Sequence, residues 1–142
     1  MKIFEVGKAD WVEVGGHDEA ELHKAADGSA RVWILRVPPG SSYGPFQGPS
    51  TRHFLACQHT AGARLHLGPR VFRPLPGQVF ESEPGEVFGV ANDTRQEVRF
   101  LVNRFGPDGD VVSLGQTFEE YLAQVRPDEP GLLSTTSNPA GH

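Results

Sequence analysis

The stretch that decides the fold runs from Gly40 to Asn92 and contains two glycine-punctuated segments. The first, residues 40–62, reads GSSYGPFQGPSTRHFLACQHTAG, and the second, residues 77–92, reads GQVFESEPGEVFGVAN. Glycine and proline recur at short intervals in both segments, which is typical of short strands joined by tight turns. The two segments therefore predict the central strands of an all-β domain.

Short strands are also predicted on both sides of this stretch. Arg31–Val37 is nearly all β-forming and apolar on both faces, which favours a strand covered on both sides. Asp27-Gly28 before it predicts a hairpin with a strand near residues 21–25. The other strands are predicted over residues 2–6, 11–14, 52–58, 64–67, 71–73, 78–80, 87–91 and 97–105, with an irregular loop or strand over residues 41–50. Seven or more short strands at this spacing indicate a sandwich or barrel.

One short helix is predicted after these strands. Thr117 and Glu120 fit a capping box at its start. An apolar stripe at helical spacing follows, formed by Phe118, Tyr121, Leu122 and Val125. Pro127 ends the helix, and residues 127–142 have the composition of a flexible tail. The expected organisation is one β-barrel domain over residues 1–126 and a tail over residues 127–142.

The composition of the chain excludes some classes of function and of structure. The chain has 142 residues, enough for one domain with a sizeable core, and a net charge of −5, which gives no basis for nucleic-acid binding. Its single cysteine, Cys57, rules out an intrachain disulfide. The N-terminus has no long apolar run, so we expect no signal peptide, no membrane span and a cytoplasmic location.

The spacing of residues 40–92 resembles the two motifs of the cupin superfamily. Gly40 is followed after five residues by Phe46-Gln47-Gly48 and after four more by His53, with the closing glycine, Gly62, two residues late. In the second motif, Gly77 is followed after five residues by Glu83-Pro84-Gly85, after two more by Phe88 and after three more by Asn92. The resemblance implies an all-β cupin or jelly-roll barrel with the short helix at its C-terminal end.

The departures from these motifs bear on the cofactor. The resemblance implies that metal-binding cupins use three histidines and usually one glutamate, and here those places hold Phe46, Gly48, His53 and Phe88. A divalent metal needs three or four nitrogen or oxygen ligands, and one imidazole cannot supply them. We therefore expect no metal and no other cofactor, and a cavity whose metal end is filled by aromatic rings.

Two residues are the candidates for catalysis. His53 shares a strand face with Leu55 and Cys57, and its imidazole is a candidate general base or acid; a satisfied interior histidine is the alternative. Tyr43 lies three residues before Phe46 and is a candidate acid. Metal-free cupins such as dTDP-4-dehydrorhamnose epimerase, with a histidine base and a tyrosine acid, imply such a pair. A packing role for the tyrosine is the plainer alternative.

A further set of residues is assigned to a ligand pocket: Trp33, Phe46, Gly48, Leu55, Cys57, Phe88 and Arg99. The aromatic members would line an apolar pocket or simply fill the interior. Cys57 is equally consistent with a small core residue. An inward arginine, from Arg99 or from Arg36 and Arg104, would bind an anionic group, whereas an outward one would be solvated.

The leading hypothesis is a metal-independent cupin that holds a small organic molecule in an aromatic pocket. Its reaction would be an isomerisation, epimerisation or cyclisation with proton transfer at His53. One alternative is a non-catalytic binding or sensor protein. Another is a metal enzyme of the dioxygenase type with atypical ligands, drawn from His53, His59, His66, Cys57, Glu81 and Glu83. Small-molecule binding and homodimer formation are expected, the latter with residues 2–14 as an exchanged arm.

Overall fold

The computed structural model describes residues 1–107 and 109–126, which form two antiparallel β-sheets, a 3₁₀ turn and one helix. The strands are β1 (Val12–Val14), β2 (His17–Lys24), β3 (Ala30–Val37), β4 (Ser42–Gln47), β5 (Arg52–His59), β6 (Arg64–Leu67), β7 (Arg70–Phe72), β8 (Val79–Ser82), β9 (Phe88–Ala91), β10 (Val98–Phe105) and β11 (Val112–Ser113). The 3₁₀ turn is Val6–Lys8, and the helix, α1, is Phe118–Val125.

The two sheets face each other and enclose one apolar core. The first sheet has the strand order β1-β2-β3-β10-β5-β8, and the second has β11-β4-β9-β6-β7. Leu35, Leu55 and Phe100 of the first sheet and Leu65 and Val90 of the second are fully buried members of this core. Because strand side chains alternate between faces, each strand contributes every second residue to the core and the others to an outer face.

The structure confirms the predicted all-β jelly roll, and its two sheets form a sandwich whose edges do not close into a barrel. Each sheet is bounded by short strands, β1 and β8 in the first and β11 and β7 in the second. Among the described residues, no ladder of backbone hydrogen bonds joins an edge of one sheet to an edge of the other. The short edge strands leave the end of the sandwich near β1 and β11 open to solvent.

Most predicted strands lie within one or two residues of the observed ones, but β2 begins at His17, four residues before the strand predicted near residues 21–25. Residues 2–6 do not form a strand but lead into the Val6–Lys8 turn. Residues 42–47 form β4, an irregular strand as predicted, because its pairing with β9 shifts register between Tyr43 and Phe46, around the Gly44-Pro45 peptide. The turn-forming residues within it conceal its position in the sheet, which is fixed by partners distant in the sequence.

The predicted helix and its capping box are confirmed. The Thr117 side chain accepts a hydrogen bond from the Glu120 backbone N–H, and the Glu120 carboxylate accepts one from the Thr117 backbone. Phe118 and Leu122 are buried, and Phe118 stacks on His66 on the outer face of the second sheet. Pro127 and the predicted tail lie outside the described residues. Within the described part of the chain, no helix is long and apolar enough to cross a membrane.

Candidate functional site

A pocket of about 200 Å³ lies at the open end of the sandwich. Its walls come from both sheets: β2, β3, β5 and β10 of the first and β4 of the second. The lining residues are Val14, His17, Glu19, Arg31, Trp33, Tyr43, Phe46, His53, Arg104 and Val111. Aromatic and aliphatic side chains make up half of this wall, so the pocket suits a ligand with apolar surface and a few polar groups.

The positions at which cupins carry metal ligands do converge beside this pocket. Phe46 of β4 pairs with Phe88 of β9, and their ring centroids lie 5.9 Å apart. The His53 ring crosses from the opposite sheet to within 4.3 Å of the Phe88 ring. The glycine turns have thus placed three of the four motif positions together, as the spacing predicts. Two of these positions, however, hold phenylalanine.

Gly48, the fourth motif position, is closed to side chains. A Cβ atom at Gly48 would lie only 1.9 Å from Oγ1 of Thr51, so the turn needs glycine here because it packs tightly. Gly48 does not line the pocket. Gly48 is part of the turn that leads into β5, and this turn sets the start of the strand on which His53 faces inward.

His53 is a buried imidazole with no hydrogen-bond partner among the described residues. Its Nδ1 atom is buried and has no hydrogen-bond partner in the described part of the chain. Nε2 is not buried in this way, so Nε2 is the ring nitrogen that a ligand in the pocket can contact. Burial, and secondarily the positive charge of Arg104, lowers the pKa of His53 to about 4. The imidazole is therefore neutral at pH 7 and has a lone pair available for a proton or a hydrogen bond.

Tyr43 forms the side of the pocket opposite the first sheet. Its ring lies 4.7 Å from Phe46 and 6.4 Å from Phe88, which holds it within the aromatic cluster. Burial raises its pKa well above the ordinary value, and the charge of Glu19 adds to the effect. Tyr43 therefore keeps its proton at neutral pH and can donate a hydrogen bond to an oxygen atom in the pocket.

Two arginines lie beside His53 on the inner face of the first sheet. Arg104 pairs in register with Arg31 on one side and with His53 on the other, so the three residues form one row across β3, β10 and β5. Arg104 is 6% exposed and donates to the Gly28 carbonyl. The guanidinium of Arg31 lies 4.4 Å from the Trp33 ring centroid. Arg31 is ion-paired with the carboxylates of Glu19 and Glu21. Arg104 is thus the guanidinium of this row that lies directly beside His53.

A histidine–glutamate pair that the sequence analysis missed lies at the pocket mouth. His17 Nε2 and Glu19 Oε2 are 2.8 Å apart, and the edge of the His17 ring packs on Tyr43 at 4.8 Å. Arg31 donates to the other carboxylate oxygen of Glu19, also at 2.8 Å. Burial raises the pKa of Glu19, but the hydrogen bonds from His17 and Arg31 outweigh it, and its pKa lies below the ordinary value. The spacing His-x-Glu on a strand was the available signal, because residues i and i+2 share a face.

The other predicted site residues lie away from the pocket wall. Leu55 and Cys57 face the core deeper between the sheets, and burial raises the pKa of the Cys57 thiol to about 12. Arg99 pairs with Arg36 and His59 on the outer face of the first sheet. The inward arginine of β10 is Arg104 instead. Arg104 lies an even number of residues from the buried apolar residues Val98, Phe100 and Val102, so its side chain is on the same, inward face of β10.

The residues at the motif positions do not fit a cupin metal. Of the four, only His53 has a side-chain donor atom, whereas a bound divalent ion needs three or four. Within the described ranges, no group of three or more histidine, cysteine, aspartate or glutamate side chains is close enough to hold a metal. The predicted alternative ligands His59 and His66 are apart from His53: His59 is exposed, and His66 lies on the outer face of the second sheet.

Comparison with solved structures shows the fold. The polyketide cyclase RemF from Streptomyces resistomycificus is 18% identical, with 97% of this chain and 99% of that chain aligned and a TM-score of 0.67. A cupin-2 domain, Rru_A2000 from Rhodospirillum rubrum, is 10% identical over 94% of this chain and 90% of that chain, with a TM-score of 0.70. A double-stranded β-helix protein from Klebsiella pneumoniae is 18% identical over 82% and 99% of the two chains, with a TM-score of 0.66.

These structures share the cupin, or double-stranded β-helix, architecture, so this chain has the cupin fold. At identities of 10% to 18% the likeness extends to the fold alone. No protein-family model matches the chain. No curated protein matches it either.

Proposed function

We propose that this cupin-fold protein binds a small oxygenated organic molecule in the pocket between its sheets and moves a proton on it without a metal. The observation that carries the proposal is the convergence of Phe46, Phe88 and His53. The fold has brought its ligand positions together beside a pocket, yet they present two phenyl rings and one neutral imidazole. Such a surface suits a flat organic ligand.

Three groups supply the chemistry. His53 Nε2 is the base and takes a proton from a carbon next to a carbonyl group. The electron pair of the broken C–H bond forms a C=C bond, and the carbonyl oxygen becomes an enolate oxygen. Tyr43 donates a hydrogen bond to that oxygen, and the guanidinium of Arg104 beside His53 stabilises its charge. Return of the proton from His53 to another carbon gives isomerisation. Attack of the enolate carbon on a second carbonyl forms a C–C bond, the new alkoxide takes the proton from His53, and the result is cyclisation.

The fold neighbours support an organic substrate. RemF, which aligns over almost the whole length of both chains, is a polyketide cyclase. A conjugated ketone with several oxygen atoms is therefore the substrate class we propose for this chain. The low pKa of His53 limits the reaction to acidic C–H groups such as those between two carbonyls or between a carbonyl and an aromatic ring.

Exchange of hydrogen for deuterium tests the proposal. The probe is 2-tetralone, a two-ring aryl ketone with an acidic C1–H between ring and carbonyl, incubated with the protein in D₂O and followed by NMR. We expect protein-dependent exchange that falls on the order of a hundred-fold in His53→Gln. The matched control is His59→Gln, an exposed histidine on the same strand. Exchange that is equal in both variants would exclude His53 as the base.

Binding without chemistry is the second candidate function. The observation in its favour is the buried, unpartnered Nδ1 of His53, because a weakly basic imidazole in an apolar wall also suits a purely recognising role. This candidate predicts that 2-tetralone binds, measured by calorimetry, without any protein-dependent exchange. Elemental analysis of untagged protein tests the alternative of a metal enzyme. We expect less than about a tenth of a metal ion per chain, because functional metal sites bind tightly.

A further inference from the structure

We infer that His17, oriented by Glu19, is a second proton-transfer group of the pocket and works together with His53. The inference rests on the proposed function and deepens it, since a proton moved between two positions of a substrate is handled most directly by two groups. His17 and Glu19 both line the pocket, and the histidine is 5% exposed.

The hydrogen bond to Glu19 fixes which nitrogen of the His17 ring donates to the carboxylate. Nε2 is 2.8 Å from the Glu19 carboxylate, so Nε2 carries the proton of this bond and Nδ1 holds the lone pair. Among the described residues, nothing hydrogen-bonds to Nδ1. The ring also borders the neighbouring depression at the mouth, lined by Ser42, Phe46 and Ser113, so His17 lies between the pocket and solvent.

Glu19 is itself held in place, which makes it a positioning residue. Arg31 binds its second oxygen at 2.8 Å, and Arg31 is in turn held by Glu21 at 2.8 Å. The charged and titratable groups that face His17 are thus Glu19 and Arg31 on the first sheet and Tyr43 on the second. The carboxylate, directly bonded to the ring, stabilises the imidazolium that forms when Nδ1 takes a proton.

The two histidines differ in what they can do with a proton. His53 is buried next to Arg104 and, once protonated, tends to return the same proton to the substrate. His17 exchanges its proton with solvent at the mouth and, as an imidazolium, delivers that proton to the substrate carbon. One proton leaves the substrate for His53, one enters it from His17, and solvent restores both rings. Without His17, the proton that His53 has taken returns to the substrate, so most turnovers incorporate no deuterium.

The experiment uses the full-length protein and the exchange of 2-tetralone in D₂O. We expect His17→Ala to lower the exchange rate at least ten-fold and added imidazole to restore part of it, because the small base can occupy the space of the missing ring. His23→Ala, an exposed histidine on the same strand, is the control and should leave the rate unchanged. Circular dichroism melting shows whether each variant is folded.

A readout independent of turnover tests the orientation by Glu19. Nitrogen-15 NMR of the histidine rings should show His17 protonated on Nε2 and not on Nδ1, and Glu19→Gln should mix the two tautomers. Exchange that persists in His17→Ala but is lost in His53→Gln overturns this inference alone. Absence of exchange in the wild-type protein overturns the proposed function and this inference together. An Nδ1-protonated His17 overturns the inference whatever the rate.

Discussion

Two histidines of this protein are equally buried but lie in different surroundings. His53 is 2% exposed, faces inward and borders the pocket. His66 is 1% exposed, lies on the outer face of the second sheet and stacks on Phe118 of α1, with ring centroids 4.0 Å apart. Both ring nitrogens of His66 are buried without a partner among the described residues. The pocket does not reach His66.

An unpartnered buried imidazole is therefore not by itself a functional site. Burial lowers the pKa of both rings, to about 4 for His53 and about 3 for His66, where Arg64 adds to the effect. The cost to stability is thus similar in the two places. Of these two rings, only that of His53 lines the pocket, together with the proton-donating Tyr43, so of the two it is His53 that can use its lone pair on a ligand there.

Acidification gives the largest effect and should affect both histidines alike. The unfolded chain takes up protons at a histidine pKa of about 6.5, whereas the folded rings resist protonation until pH about 4 and about 3. This contribution to stability is therefore fully present above pH about 6.5 and is lost as pH falls, by on the order of 3 kcal/mol for each ring between pH about 6.5 and about 4.5. Urea unfolding between pH 7 and 4.5 measures it.

The double variant His53→Gln, His66→Gln is the control for that measurement, because it removes both rings and leaves the carboxylates in place. Its unfolding free energy should vary much less with pH in this interval. An equally steep pH dependence in the wild type and the double variant would show that other groups control acid unfolding.

Removal of the His66 ring should separate the two sites. His66→Leu replaces two unpartnered polar atoms with an apolar side chain that still packs beneath Phe118. We expect the free energy of unfolding at pH 7 to rise by about 1–2 kcal/mol, since the desolvation of the ring nitrogens is no longer required. Thermal melting followed by circular dichroism measures the change. A loss of stability would mean that the ring stacking outweighs that cost.

The helix cap gives the smallest expected effect. Thr117→Ala removes the side-chain acceptor that binds the Glu120 N–H and should destabilise α1 by about 1 kcal/mol. Since α1 covers His66 and not His53, hydrogen exchange should increase at the backbone amides of the β6 strand more than at those of β5. Equal increases in both strands would indicate that the helix stabilises the whole sandwich uniformly.

The same contrast shows what the sequence can predict. Strands such as Arg64–Leu67 and Val98–Phe105 are recognised from β-forming runs bounded by glycine, proline and aspartate, because these turns are encoded locally. The motif spacing also places Phe46, Phe88 and His53 together, because each glycine turn fixes where the following strand begins. Whether the sheets close into a barrel depends on strand edges far apart in the chain and is not encoded in the spacing.

The pocket mouth was less predictable than its aromatic end. His17 and Glu19 come together with Tyr43 only after β2 has paired with β3 and the two sheets have stacked, so their alternation indicates a shared face but not a pocket. Arg99 was assigned to the pocket although its apolar neighbours Val98 and Phe100 indicate the opposite face. Alternation along that strand was enough to select Arg104.

One measurement tests the central claim most directly: the rate of 2-tetralone exchange in D₂O for His53→Phe and His66→Phe, compared with the wild type. Each substitution places a phenyl ring in an aromatic surrounding, next to Phe88 or Phe118, so both variants should fold. We expect a loss on the order of a hundred-fold in His53→Phe and an unchanged rate in His66→Phe. Equal rates in the two variants would contradict the claim.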